Sequence, residues 1–219
     1  MNYEIIEKNA GWLSLMIVVV ISLGGLGEIV PLVFHSGEKS EFDPLPTVYL
    51  YSALRLEGRD IYLREGCANC HTQMIRPFQV ETERYGYYSL AGEFSYDHPF
   101  LWGSRRNGPD LARIGNRYSN SWHQEHLRNP SAVVANSIMP AYPWLKDNLF
   151  DGNSITAKMR VINKLNSATC PKCQIYSEYE IESAILQIRG KTEEEALIAY
   201  LNGTPEQPGG LGRLVFSSK

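Results

Sequence analysis

Positive charge is the first thing this chain lacks. Its 21 lysines and arginines are outnumbered by 24 aspartates and glutamates, leaving a net charge of −3 and a pI near 6.0. Phosphate backbones need a basic stripe, so no nucleic-acid partner is expected. Cysteine is also scarce: four residues in 219 form two C-x-x-C pairs, Cys67/Cys70 and Cys170/Cys173, and only the first is followed by histidine. A disordered chain is excluded by 43% hydrophobic and 21% charged residues, a balance suited to one compact domain with an appendage. Ionisable groups are almost absent from "WLSLMIVVVISLGGLGEIVPLV", Trp12 to Val33, where Glu28 stands alone. The run is long enough to cross a hydrocarbon core and reads as one transmembrane helix. The cues of a cleaved leader are missing, because the preceding residues set Lys8 against Glu4 and Glu7 and no A-x-A-like site follows. Lys8 and Lys39 balance one another and do not orient the helix.

Ser22, Gly24, Gly25 and Gly27 crowd one stretch of that helix, and small residues admit a neighbouring helix closely in a bilayer. Glu28 reads as an acid near the water boundary or one seeking a polar partner in the membrane, with Pro31 expected to loosen the helix beyond it. "HSGEKSEFDPLP", His35 to Pro46, has the composition of a linker.

Cys67-Ala68-Asn69-Cys70-His71 has the spacing of c-type haem attachment, in which two thiols add to the vinyl groups and the adjacent imidazole ligates iron. A zinc half-site or a redox C-x-x-C is the alternative reading. "YSALRLEGRDIYLREG" precedes the anchor with Leu54, Gly58, Ile61, Tyr62 and Glu65 at helical spacing, ending at Gly66. "KTEEEALIAYLNG" near the end opens on a Thr192/Glu195 capping box and closes on Gly203, with Leu197, Ile198 and Leu201 as its apolar face. Gly58 would let a bulky residue such as Tyr200 cross the first helix closely, as in the terminal helix pair of class I cytochromes c.

The sixth iron ligand has six candidates: Met74, His98, His123, His126, Met139 and Met159. Met74 is too close to His71 to reach the opposite haem face. Met139 lies in "NSIMPAYPW", where Pro140 and Pro143 hold the backbone extended and suit it to present a thioether. Met159 fits a helical pattern with Val161, Ile162 and Leu165, which favours core packing. His123 and His126 are spaced to share a helix face, and His98 precedes Pro99; these three remain alternatives to Met139. "NGPDLARIGNRY" resembles the G-P-x-L segment of class I cytochromes c, and by that resemblance the Pro109 carbonyl orients His71 through Nδ1.

From Glu57 to Leu145 the match becomes specific: "CHTQMIRPF", "ETERYG", "YDHPFLWGS" and "SIMPAYPWL" closely resemble the mono-haem FixO/CcoO subunit of cbb(3)-type cytochrome c oxidase. That resemblance implies a mainly α fold, with residues 1–34 as cytoplasmic N-terminus and transmembrane helix and 35–50 as linker. Residues 51–203 would form a class I cytochrome c-like periplasmic domain with an aromatic-rich insert, and 204–219 a flexible tail. It implies one covalent, low-spin haem c on Cys67 and Cys70, with His71 and Met139 as axial ligands. The chain would sit in a bacterial inner membrane as a single-pass protein. It would relay electrons from a di-haem cytochrome c subunit to the haem–copper catalytic subunit, where dioxygen is reduced to water and protons are pumped. No oxygen-reducing site would reside on this chain. A freestanding anchored cytochrome shuttle is the competing function, and a haem sensor or enzyme with an open iron site a third.

The insert from Thr72 to Arg106 carries Tyr85, Tyr87, Tyr88, Phe94, Tyr96, Phe100 and Trp102, residue types enriched at interfaces. Arg76, Arg84, Arg105 and Arg106 are candidates to pair with haem propionates or partner carboxylates. Cys170/Cys173 lacks a following histidine and is expected to form a local disulfide in an oxidising compartment.

Overall fold

A computed structural model of the chain describes residues 4–35, 43–204, 207 and 211. Two units divide it, Met1–Glu41 and Phe42–Lys219. In the first, a single turn α1 (Glu4–Glu7) precedes the long helix α2 (Ala10–His35). Asn9 caps α2, its Oδ1 accepting from the Gly11 and Trp12 amides at 3.1 and 3.3 Å. The stretch Ala10–Val30 is long and apolar enough to cross a membrane, and none of it is buried within the protein, unlike the core helix of a soluble domain. A Cβ added at Gly24, Gly25 or Gly27 would meet no atom within 4 Å. The helix runs through Pro31 to His35 without the expected break. Loss of one backbone donor is tolerated inside a long apolar helix whose remaining ladder is intact. Much of the sequence read as a linker, residues 36–42, lies outside the described residues.

The second unit is all helix and loop among the described residues, apart from a lone bridge between Leu149 and Thr192. In chain order it contains α3 (Ala53–Arg64), α4 (Gln79–Tyr85), α5 (Asn120–Arg128), α6 (Pro130–Val133), α7 (Ile155–Thr169), α8 (Glu178–Ile188) and α9 (Glu193–Asn202). Three short 3₁₀ turns, Cys67–Asn69, Ala91–Phe94 and Pro143–Lys146, interrupt the loops. The pairing of α3 with α9 is the spine of the unit. A Cβ at Gly58 would stand 1.9 Å from the Ala196 carbonyl oxygen and 2.8 Å from Tyr200 Cβ, so the backbones touch where the sequence places glycine. Tyr200 is fully buried at the crossing, 5.5 Å from the Tyr62 ring and 5.8 Å from Tyr51. The Thr192/Glu195 capping box opens α9, and Gly203, at φ 90°, ends it.

Burial on α3 extends past its apolar stripe to Arg55, Glu57 and Arg59. Arg59 donates Nε to Asp97 at 3.0 Å and its other nitrogens to the His98 and Pro99 carbonyls, while Tyr51 donates its hydroxyl to the same Asp97 oxygen at 3.0 Å. Periodicity marks α3 as amphipathic, but its second face is covered too: the insert supplies the partners of Arg59, while Gln207 accepts from Arg55 at 3.1 Å and Lys158 of α7 donates to Glu57 at 2.7 Å. On α7 the core stripe is Ile155, Met159, Ile162 and Asn166; Met159 is buried as its pattern suggests, whereas Val161 and Leu165 face outward. Gln207, inside the segment read as a flexible tail, accepts from the Ser52 amide at 2.9 Å and donates to the Leu50 carbonyl at 2.7 Å, and Leu211 packs on the core. The rest of the tail after Gly203, apart from Thr204, lies outside the described residues.

Cys170 and Cys173 are joined by a disulfide at the end of α7. The Tyr96 hydroxyl of the insert accepts from the next amide, Gln174, at 3.0 Å. With those thiols closed, they offer no second ligand pair to Cys67 and Cys70. Among the described residues no three His, Cys, Asp or Glu side chains gather to hold a metal ion.

The insert buries Ile75, Phe94, Tyr96 and Leu101, of which Tyr96 and Leu101 join the main core. Glu81, at the start of α4, holds it together electrostatically. It accepts from the Arg76 amide at 2.8 Å, from the Arg76 side chain, and from Arg106 Nη2 at 2.9 Å. Burial alone would raise this carboxyl, but the Arg76 and Arg106 hydrogen bonds win and hold it at about 2. Because the folded state keeps Glu81 ionised more readily than the unfolded chain does, its contribution is complete above pH about 4.5 and is lost as pH falls toward about 2. Glu81→Gln is therefore expected to cost about 1–2 kcal/mol at neutral pH, the lower end reflecting solvent screening on the Arg76 side. Denaturant titration of the two proteins should show the gap narrowing below pH 4; a gap unchanged down to pH 2 would reject the pairing.

Candidate functional site

Helix α3 stops at Arg64, and Gly66, in the left-handed region at φ 73°, turns the chain into the Cys67–Asn69 3₁₀ turn. The turn closes through the Asn69 amide on the Gly66 carbonyl at 2.9 Å and the His71 amide on the Cys67 carbonyl at 2.9 Å. Cys67 and Cys70 are both free thiols, the first half-buried and the second exposed. Burial pushes the Cys67 thiol up to about 12, with Glu65 adding to the rise.

His71 follows on the same turn, and three groups hold it. Its Nδ1 lies 2.8 Å from the Pro109 carbonyl oxygen, the contact expected of the G-P segment. Tyr62 of α3 donates its hydroxyl to the His71 carbonyl at 2.8 Å. Gly108 lies flat against the imidazole, such that a Cβ there would come within 2.1 Å of Cε1 and 2.6 Å of each ring nitrogen. A carbonyl acceptor requires the proton on Nδ1, which leaves the Nε2 lone pair exposed; Nε2 has no hydrogen-bond partner among the described residues.

The chain beyond His71 is stitched to this corner. The Gly108 amide donates to the Cys70 carbonyl at 3.0 Å, and the Leu111 amide to the Thr72 carbonyl at 3.0 Å. Asp110 is buried and accepts from the Met74 and Ala112 amides at 3.1 and 2.8 Å. Burial raises its carboxyl despite those bonds. Gln73 accepts the Tyr200 hydroxyl at 3.0 Å, linking the anchor to the α3–α9 crossing. Neither Tyr62 nor Gln73 stands out in the sequence as part of the site. Tyr62 shows only as one more member of a helical stripe, and Gln73 carries no signal at all.

Met139 is half-buried in its extended loop and packs on the core, as do Cys67, Ala68, Leu111 and Tyr142. The loop is tied to α5 by the Tyr142 amide, which donates to the Leu127 carbonyl at 2.8 Å. Burial raises the Tyr142 phenol, and the Cys67 and Cys70 thiols add to the rise. The other ligand candidates fall elsewhere or have partners. Met159 is in the core, and His98 Nε2 lies 3.2 Å from Asn166 Oδ1. Met74 is half-buried beside Asp110. His123 is buried against the Tyr118 and Trp122 rings, and its Nε2 has no hydrogen-bond partner among the described residues. His126 is half-buried on the next turn of α5, and its Nδ1 has no hydrogen-bond partner among the described residues.

Of the four arginines singled out, Arg76 and Arg106 are spent on Glu81, and Arg84 lies 5.1 Å from the Tyr85 ring centre. Arg105 is exposed and has no ion-pair partner among the described residues. Two free thiols, an imidazole with one nitrogen fixed and the other bare, and a glycine flush with its ring suit a c-type haem, which brings the vinyl carbons and the metal these groups lack. A family model described as cytochrome C oxidase, mono-heme subunit/FixO, matches residues 3–205. No curated protein matches the chain.

Proposed function

The chain belongs to the mono-haem FixO subunit family of cytochrome c oxidase, and from that premise we propose that it is the membrane-anchored electron relay of a cbb(3)-type oxidase. One haem c is attached through Cys67 and Cys70, with His71 and Met139 as its axial ligands. Electrons enter from a di-haem cytochrome c subunit and leave for the haem–copper catalytic subunit. The chain crosses a bacterial inner membrane once through α2, its N-terminus in the cytoplasm and its haem domain in the periplasm. The observation that carries this reading is the His71 arrangement: Nδ1 engaged by Pro109 at 2.8 Å, Gly108 against the ring, and free thiols at Cys67 and Cys70 on the same turn.

A haem c bound here supplies a one-electron couple. The chain's own residues determine that it does nothing else. His71 is aligned by a neutral carbonyl rather than a carboxylate, which leaves the imidazole an ordinary donor. Met139 brings a thioether, which favours the reduced metal and raises the potential. With His71 and Met139 both holding the iron, this chain would offer dioxygen no place to bind, and reduction to water would belong to the catalytic subunit.

Met139→Leu tests the ligand set. It is expected to remove the near-infrared sulfur-to-iron charge-transfer band and to lower the midpoint potential by roughly 0.1–0.3 V, a fraction of the ~0.8 V range commanded by axial ligands. An unchanged band and midpoint would reject Met139. Extraction of the full-length chain in mild detergent tests the assignment as a subunit. Comigration with copper and non-covalent haem is expected, whereas a small copper-free monomer under every condition would instead identify a freestanding shuttle.

A further inference from the structure

His126 sits on the exposed-to-buried boundary of α5 with an imidazole that the protein has positioned but not used. Its ring is stacked on Trp122 at 4.6 Å and 17°, and Trp122 is stacked in turn on Tyr118 at 4.0 Å and 17°. Three parallel rings hold the imidazole plane in place. Its Nδ1 is shielded from solvent and has no hydrogen-bond partner among the described residues. The residue next to it, Leu127, accepts the Tyr142 amide at 2.8 Å, which pins the Met139 loop alongside this turn of the helix. The Arg128 guanidinium, donating to Glu194 at 2.8 and 2.6 Å, fixes the same turn to α9. Burial lowers the basicity of the His126 imidazole. An imidazole held in a ring stack thus stands on the turn of α5 to which the thioether loop is tied.

We propose that His126 is a standby axial ligand, which takes the sixth coordination position of the haem iron when the Met139 sulfur is withdrawn. The inference rests on the haem reading above and adds a residue to it. The exchange is a ligand substitution: the iron–sulfur bond breaks, the lone pair of His126 Nε2 forms an iron–nitrogen bond, and no electron or proton is transferred. The structure also gives the reason that His126 is second in rank. An imidazole bound through Nε2 carries its proton on Nδ1 and gains from an acceptor there. His71 has the Pro109 carbonyl at 2.8 Å; His126 Nδ1 has no acceptor among the described residues. A sulfur ligand in an extended loop therefore holds the position while it is present. A peroxide that transfers one oxygen atom to the Met139 sulfur and leaves as water or an alcohol makes the thioether a polar, weaker ligand, and would shift the iron to two nitrogens and lower its potential.

The test uses the full-length, haem-loaded chain in detergent and reads spectra rather than turnover. In Met139→Ala the near-infrared band is expected to vanish while the ferric haem stays low-spin and the ferrous form resists carbon monoxide. In Met139→Ala combined with His126→Phe, which keeps the ring stack but removes both nitrogens, the ferric haem is expected to become high-spin and the ferrous form to bind carbon monoxide stoichiometrically. His126→Phe alone should retain the near-infrared band, which also shows that the pocket folds. If Met139→Ala is already high-spin and open to carbon monoxide, His126 is not a standby ligand, although Met139 remains the native one. If the double variant stays low-spin, a different side chain fills the position and the proposal fails. A near-infrared band that survives Met139→Ala would instead overturn the ligand set of the haem reading itself.

Discussion

Gly108→Ala is expected to abolish normal haem binding while leaving both cysteines, His71 and Met139 in place. The added Cβ would lie 2.1 Å from His71 Cε1 and 2.6 Å from Nδ1 and Nε2, inside any tolerable carbon contact. The imidazole cannot yield locally. Its Nδ1 is tied to the Pro109 carbonyl and its own carbonyl to the Tyr62 hydroxyl, at 2.8 Å each. Gly108 cannot retreat easily either, because its amide is bonded to the Cys70 carbonyl at 3.0 Å. Either the ring rotates off Pro109, losing the orientation that aims Nε2, or the G-P turn lifts away and opens the cysteine turn. Loss of an orienting partner typically weakens a metal site about 10- to 100-fold, and the steric clash adds to that. Haem staining of the denatured chain should fall at least roughly tenfold, and any haem retained should be partly high-spin. A Gly108→Ala protein with wild-type haem content and spectrum would show that His71 is not the ligand held against this turn.

The second large effect is at Gly58, where alanine should destabilise the whole haem domain. The clash there is with backbone, 1.9 Å from the Ala196 carbonyl oxygen, so no change of rotamer relieves it. The α3 and α9 axes must separate, and Tyr200 lies at the crossing with its rings and its hydrogen bond to Gln73. Overpacking of a core costs about 1–3 kcal/mol when side chains can shift; here about 3 kcal/mol or more is expected, a fall of roughly 6–12 °C in melting temperature. Truncating Tyr200 in the same protein should not rescue it, because the closer contact is with the carbonyl. Tyr62 rides on α3 and holds the His71 carbonyl, so haem attachment should fall together with stability. A Gly58→Ala chain melting within 2 °C of wild type would mean the two helices are not in contact.

How much of this was legible beforehand depends on the range over which each signal acts. The pentapeptide from Cys67 to His71, the capping box at Thr192 and the proline-braced loop around Met139 are local chemistry, so reading them needs no fold. Gly58 was legible as well, since two helical patterns bracketing the anchor leave few reasons for a glycine in the middle of one. The arginines were not. Arg76 and Arg106 are exposed in composition and interface-like in type, yet both converge on Glu81, a partner that only the folded insert brings between them. The outward positions of Val161 and Leu165 were hidden for a related reason: a helical period tells which residues share a face, not how wide a strip of that face the core covers.

The order of residues alone determined that a long apolar helix precedes a domain with a single haem-type anchor, because membrane length, thiol spacing and the histidine that follows are properties of contiguous chain. Tertiary structure alone decided which nitrogen of His71 is left bare, what lies flat against its ring and which turn of α5 the Met139 loop is tied to. Those outcomes depend on atoms brought together from residues 62, 71, 108 and 109 and from the loop pinned at Leu127. Orientation of a ligand is a matter of hydrogen-bond direction and van der Waals contact across the fold, which neighbouring letters in a sequence do not encode.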